Sequence, residues 1–269
     1  MSVAPHRASG TPARPDEPVD VDVPAAVVCA RCGASDCPGC WHDDSRSGVV
    51  AVVPWERPGL GAMGRLWATA RASTFDAERF FESLPDGPLG PALTFAIASE
   101  LVATTSMAIA LAVPVALLAP SWAHHVMVDD FAVAVRLTAT GIPLVAGLLV
   151  IAHAAHGWAL DLGARRSGAR GAATRALRFG LYASGWDLVI GPLGAIVVTF
   201  KQGVGAAISI AAMTSGLPSR SALSFLRGCY GLHGDAARPA LRASYVAAGA
   251  SALVAALAVV AAFIAVLMG

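Results

Sequence analysis

The strongest constraint on this chain is a set of long apolar runs with almost no charge. Residues 243–269 contain no Asp, Glu, Lys or Arg. Residues 137–158 form a second uncharged run. A helix of that length measures about 33 Å, enough to cross a hydrocarbon core of about 30 Å. Residues 93–118 form another run, with Glu100 near its start and Pro114 near its end. Residues 179–200 are interrupted by Asp187 and Pro192, and residues 203–217 make a shorter block. Soluble domains are about 45–50% apolar and 25% charged. Here the figures are 56% and 14% over 269 residues, which excludes disorder over the whole length. The expected fold is an all-α integral membrane bundle of about five transmembrane helices over residues 91–269.

Arginine placement orients such a bundle, because short cytoplasmic loops carry the excess of basic residues. Arg165, Arg166, Arg170, Arg175 and Arg178 lie between the second and third runs, and Arg220, Arg227, Arg238 and Arg242 between the fourth and fifth. The loop between the first two runs holds Asp129 and Asp130, with Arg136 at its far edge. Both Arg-rich loops are therefore expected in the cytoplasm, where they set topology and attract anionic headgroups. That places the N-terminus inside and the C-terminus outside, with the block 203–217 crossing the membrane by tilt, local thinning or extension toward Phe225. A ratio of 18 Arg to 1 Lys reflects a coding bias toward G and C and suggests a bacterial inner membrane. A single lysine and a net charge of +1 speak against a nucleic-acid partner.

The first ninety residues have a different character. Residues 1–24 hold five prolines, scattered charges and no periodicity, and read as a disordered tail. They lack the apolar run of a secretory signal. Residues 25–48 contain Cys29, Cys32, Cys37 and Cys40 in the spacing C-x2-C-x4-C-x2-C. Each pair can present two thiolates from one turn, and four thiolates complete a tetrahedral Zn2+ site with bonds of about 2.3 Å. The expectation is a small structural zinc knuckle, with His42 as a substitute ligand. An iron–sulfur cluster or two disulfides would use the same four residues, the latter only in an oxidising compartment. About twenty residues cannot bury enough apolar area to fold alone, and metal ligation can order them. Cys229 stands apart and is expected to be packed or unreactive.

Residues 49–90 read as a linker and juxtamembrane helix. Residues 49–53 suit a short strand. Gly59, Gly61 and Gly64 match G-x-G-x-x-G only formally, because no βαβ unit surrounds them. Asp76 is a plausible N-cap for a helix carrying Phe80, Phe81 and Leu84. That helix either lies in the headgroup plane or packs on its own membrane domain.

Several segments carry a family likeness. Asp76 to Phe81 resembles the pre-membrane segment of the Yip family, the Ypt/Rab-interacting five-span membrane proteins, although the usual proline before the aromatics is absent. The stretch from His156 to Tyr182 resembles that family's second-span histidine, glycine-containing loop and third-span tyrosine. Pro192 sits where the family often has a proline. Tyr230-Gly231-Leu232-His233-Gly234 resembles its turn before the last span, with Tyr230 in place of histidine. The resemblance covers about residues 70–269. It implies a helical bundle with a cytosolic N-terminal region and supplies no catalytic residues.

Polar residues inside apolar runs are costly and often functional. Glu100 lies near the inner end of its run, where the simplest expectation is a carboxylate that reaches water. Asp187 lies deeper and suits a buried polar role. His153 and His156 share a helix face, where they pair with Asp187 or Glu100 or anchor the interface beside Trp158. No Walker A loop, H-E-x-x-H or G-x-S-x-G occurs, so no enzyme activity is expected. The expected function is a non-enzymatic, Yip-like scaffold or adaptor. Its partners are the lipid bilayer, a cytoplasmic protein recruited through the zinc knuckle, and a second copy of the chain. The alternative is a small-solute or ion transporter that uses Asp187 and Glu100.

Overall fold

A computed structural model describes residues 53–59, 61–198, 205 and 216–268. Cys29, Cys32, Cys37 and Cys40, and most of the expected strand 49–53, lie outside these residues. So does nearly all of the block 203–217. The described residues are 87% helical and contain no strand. They belong to one compact unit, Ala51–Gly269.

A 3-10 turn at Pro54–Glu56 precedes α1 (Ala62–Phe75) and α2 (Ala77–Glu82), which meet at Asp76. Asp76 does precede α2, but its side chain makes no capping hydrogen bond. Pro85 and Pro88 then end helical structure. The φ of −65° at Pro88 leads into α3 (Leu89–Leu118), and Pro91 falls in its first turn, where no ladder N–H is needed. A short helix, α4 (Pro120–His124), continues into a π turn at His125–Asp129. The Asp130 side chain caps α5 (Phe131–Arg166) by accepting the Val133 N–H at 3.3 Å. The C-terminus of α5 closes in a Schellman motif. Gly168 turns at φ +85°, its N–H bonds to Arg165 O, and the Ala169 N–H bonds to Ala164 O. The chain then forms α6 (Ala173–Ala183), α7 (Gly185–Val198), α8 (Gly216–Tyr230) and α9 (Arg238–Met268).

Among the described residues, three helical stretches are long and apolar enough to cross a membrane: Leu89–Leu118, Phe131–Arg166 and Gly234–Ala261. They correspond to the first, second and fifth apolar runs. Their surfaces fit a membrane protein. Ile109, Val113, Leu117 and Leu118 on α3, and Val246, Leu253, Val254 and Leu257 on α9, are exposed. Soluble monomers rarely leave so continuous an apolar surface facing water, and lipid tails are its natural solvent. The third run is broken at Ser184 into α6 and α7.

The packed core lies at the end of the bundle where the Arg-rich loops sit. Buried positions on α3 run from Ala92 to Thr104, those on α5 begin at Ala146, and on α9 Ala240 and Ser244 are buried. An aromatic cluster fills this end. The Phe179 ring lies 4.6 Å from the rings of both Phe81 and Phe225, and Phe95 meets Tyr182 at 5.3 Å. Phe81 and Leu84 are fully buried, so α2 packs against its own bundle rather than lying free in the headgroup plane. Val53, Leu66 and Ala70 join the same core.

Several arginines placed in the loops by sequence are structural. Arg178 is fully buried. It pairs with Glu56 at 2.8 Å, donates to Pro88 O at 2.7 Å and stacks over the Tyr182 ring. Arg175 donates to Leu84 O. Arg227 on α8 grips Glu82 on α2 with two bonds, of 2.8 and 2.6 Å.

Those bonds from Arg227 hold the Glu82 carboxyl below its usual range. A depressed carboxylate stabilises the fold above its unfolded pKa, and that contribution is lost as pH falls through the folded value. Both side chains are more than 40% exposed, so the pair contributes about 1 kcal/mol at most. Thermal unfolding in detergent from neutral pH down to about pH 3, below the ordinary Glu pKa, is expected to show a shallower acid limb in Glu82→Gln. An unchanged acid limb would remove the pair from the account.

Candidate functional site

Three helices bring Glu100, His153 and Asp187 together. On α3, Ala92, Phe95, Ala96, Ser99, Glu100, Ala103 and Thr104 recur at intervals of three and four, which puts them on one buried stripe. On α5, Ala146, Val150, His156, Gly157 and Leu160 mark the inward stripe beside His153. Helix α6 approaches α5 very closely at this level. A Cβ on Gly180 would stand 2.1 Å from the His153 carbonyl oxygen, and one on Gly157 the same distance from Ala176 O. Only glycine admits this contact, as expected where helix backbones touch in a membrane.

The break between α6 and α7 positions the third residue. The ladder tightens there, with the Ser184 N–H reaching Leu181 O and the Asp187 N–H reaching Ser184 O. Neighbouring helices add side-chain bonds to the carbonyls at the start of α7. Ser99 Oγ donates to Ser184 O at 3.1 Å, and Thr74 Oγ1 donates to Gly185 O at 3.3 Å. Trp186 Nε1 donates to Ser73 O at 2.7 Å and so anchors α7 to α1. Asp187 falls in the first turn of α7, where the helix dipole favours a negative charge.

His153 Nε2 lies 2.9 Å from Asp187 Oδ2 and 3.2 Å from Glu100 Oε1. The Glu100 side chain is completely buried, contrary to the expectation that it reaches water, and neither of its oxygens has a hydrogen bond. The Asp187 side chain remains 38% exposed. The Trp186 ring stands edge-on to the imidazole at 6.4 Å. The three residues share one depth. At 1.5 Å per residue, Glu100 is about 17 Å beyond Leu89 and His153 about 20 Å from Arg166, and Asp187 meets them from the first turn of α7. The site is therefore a two-acid, one-imidazole cluster well inside the helices, suited to holding a cation or passing a proton.

His156 is not part of this cluster. It is buried beside Phe179, with its ring 5.7 Å away and Nε2 without a hydrogen bond. Trp158 is exposed, and Cys229 is half-buried. A second polar network, not singled out in the sequence, secures the α5–α6 connection. Asp161 accepts from Tyr230 Oη and the Ala172 N–H, each at 2.7 Å, and pairs with Arg165 at 2.6 Å. The i, i+4 spacing of Asp161 and Arg165 is its only sequence signal. Its acceptors are occupied, so it serves structure. Burial and the bond to Asp161 push the Tyr230 hydroxyl well above its usual pKa and keep it a donor.

No family model, curated protein or solved structure matches this chain.

Removing the imidazole leaves two acids facing each other with no cation between them. Breaking a buried pair this way costs about 3–5 kcal/mol. In detergent unfolding, His153→Ala is expected to destabilise the protein clearly more than Glu100→Gln, which removes a charge along with the contact. Equal costs would mean that the imidazole does not hold the acids together.

Proposed function

We propose that this chain is an integral membrane protein that moves protons or small cations, with Asp187 and Glu100 as carriers and His153 as their bridge. The observation that carries this reading is the cluster itself, set within the apolar runs toward their arginine-rich end and beside a broken helix. Interrupted helices and intramembrane acids mark ion sites in membrane proteins. In this reading the bundle has five spans in a bacterial inner membrane, with the Arg-rich loops and the N-terminus in the cytoplasm. The Yip-like segments describe its scaffold.

A second reading is favoured by the contact at Glu56. Its carboxylate meets buried Arg178 at 2.8 Å and accepts the Tyr182 hydroxyl at 2.5 Å, which pins the chain that follows the cysteine segment onto the bundle. A zinc knuckle at Cys29, Cys32, Cys37 and Cys40 would then recruit a cytoplasmic protein to a non-enzymatic membrane adaptor.

Reconstitution into vesicles carrying a pH-sensitive dye separates the two. Transport predicts flux that falls to the empty-vesicle level in Asp187→Asn and in Glu100→Gln and survives in Asp235→Asn. Flux that is equal in all three variants and in empty vesicles would overturn it. The adaptor reading requires partner capture from native lipid that is lost in Cys29→Ser with Cys32→Ser.

A further inference from the structure

We propose that Glu100, His153 and Asp187 form a binding site for one divalent first-row transition-metal cation. The inference rests on the transport reading for the site's role and names the class of cation it takes. One ligand atom from each residue lies within 4.8 Å of the other two. The separations of 2.9 and 3.2 Å already match donors arranged around one ion. Metal–ligand bonds of about 2.0–2.2 Å place neighbouring donors about 3 Å apart.

Charge points to a divalent ion. A single imidazole Nε2–H can serve one acceptor, yet two carboxylates compete for it. Glu100 is the one left over: it is fully buried, it faces Nε2, and both of its oxygens lack a hydrogen bond. With His153 protonated and both acids ionised, the cluster keeps an uncompensated negative charge in apolar surroundings, which is costly and which either a proton on Glu100 or a bound cation relieves. With His153 neutral and donating its lone pair, two carboxylates and a divalent ion sum to zero. One turn further along the buried stripe of α3, Thr104 Oγ1 is a further buried oxygen without a hydrogen bond.

The donor set narrows the class. Imidazole with carboxylates, and no sulfur, suits Mn2+, Fe2+ or Zn2+ better than Cu(I), and the imidazole argues against Mg2+ or Ca2+. Three protein ligands leave positions open for water, which is the mark of an exchangeable rather than a structural ion.

Mn2+ alone is the probe, because this hard ion avoids thiolates and leaves Cys29, Cys32, Cys37 and Cys40 out of the readout. Full-length protein in detergent, stripped of metal, is titrated with Mn2+ and free ion is followed by electron paramagnetic resonance. The expected result is saturable binding at one site, with a histidine-nitrogen coupling in the pulsed spectrum of the wild type. Glu100→Gln and Asp187→Asn should each weaken binding by about tenfold or more, and Asp235→Asn should not. Absence of saturable binding, absence of the nitrogen coupling, or unchanged affinity in both site variants would overturn the proposal. The nitrogen coupling needs no variant, so it decides the matter even if a variant fails to fold. Asp187-dependent proton flux without Mn2+ binding overturns the metal site and leaves transport standing. Mn2+ binding without any flux supports the site and overturns transport.

Discussion

One imidazole between two acids, held among apolar helices, is the contact on which this account of the molecule depends. Each carboxylate alone would be an expensive guest at that depth, and together they repel. His153 makes the arrangement tolerable by standing 2.9 Å from one acid and 3.2 Å from the other. Its position is not free to vary. Gly180 brings α6 against the carbonyl of the same residue, so the backbone at His153 is fixed by a contact that no side chain could share.

The rest of the packed end serves to hold that geometry. The start of the helix that delivers Asp187 is tied down by Ser99 from α3, which bonds Ser184 O, and by Thr74 from α1, which bonds Gly185 O. Trp186 ties the start of α7 to Ser73. At the loop end, buried Arg178 joins the chain near Glu56 and Pro88 to α6, and Asp161 locks the turn after α5. Polar groups therefore sit in two layers. A layer near the arginine-rich loops is clamped by ion pairs and hydrogen bonds, and a deeper cluster holds the two acids around one imidazole.

The long apolar runs were legible because length and absence of charge are properties of a contiguous segment. The three helices long and apolar enough to cross a membrane all fall on runs found that way. The pairing of His153 with Asp187 and Glu100 was legible as one option among several. Its selection over His156 was not, since both histidines lie on one face of α5 and only the placement of α7 decides between them. Glu100 was misplaced because position along a helix gives depth and not surroundings. Its stripe of Ala, Ser and Thr neighbours is what lets other helices close over it. The roles of Glu56 and Arg178 had no local signal, because their contact joins segments far apart in sequence. The four-cysteine spacing is the clearest motif in the chain, and it lies outside the described residues.

The most direct measurement is a solid-state nuclear magnetic resonance distance in lipid bilayers, between ring nitrogens of 15N-labelled histidine and carboxyl carbons of 13C-labelled aspartate. The account predicts a strong dipolar coupling, consistent with the 2.9 Å contact between His153 Nε2 and Asp187, that disappears in Asp187→Asn. A spectrum without that coupling, or one unchanged by the substitution, would contradict it.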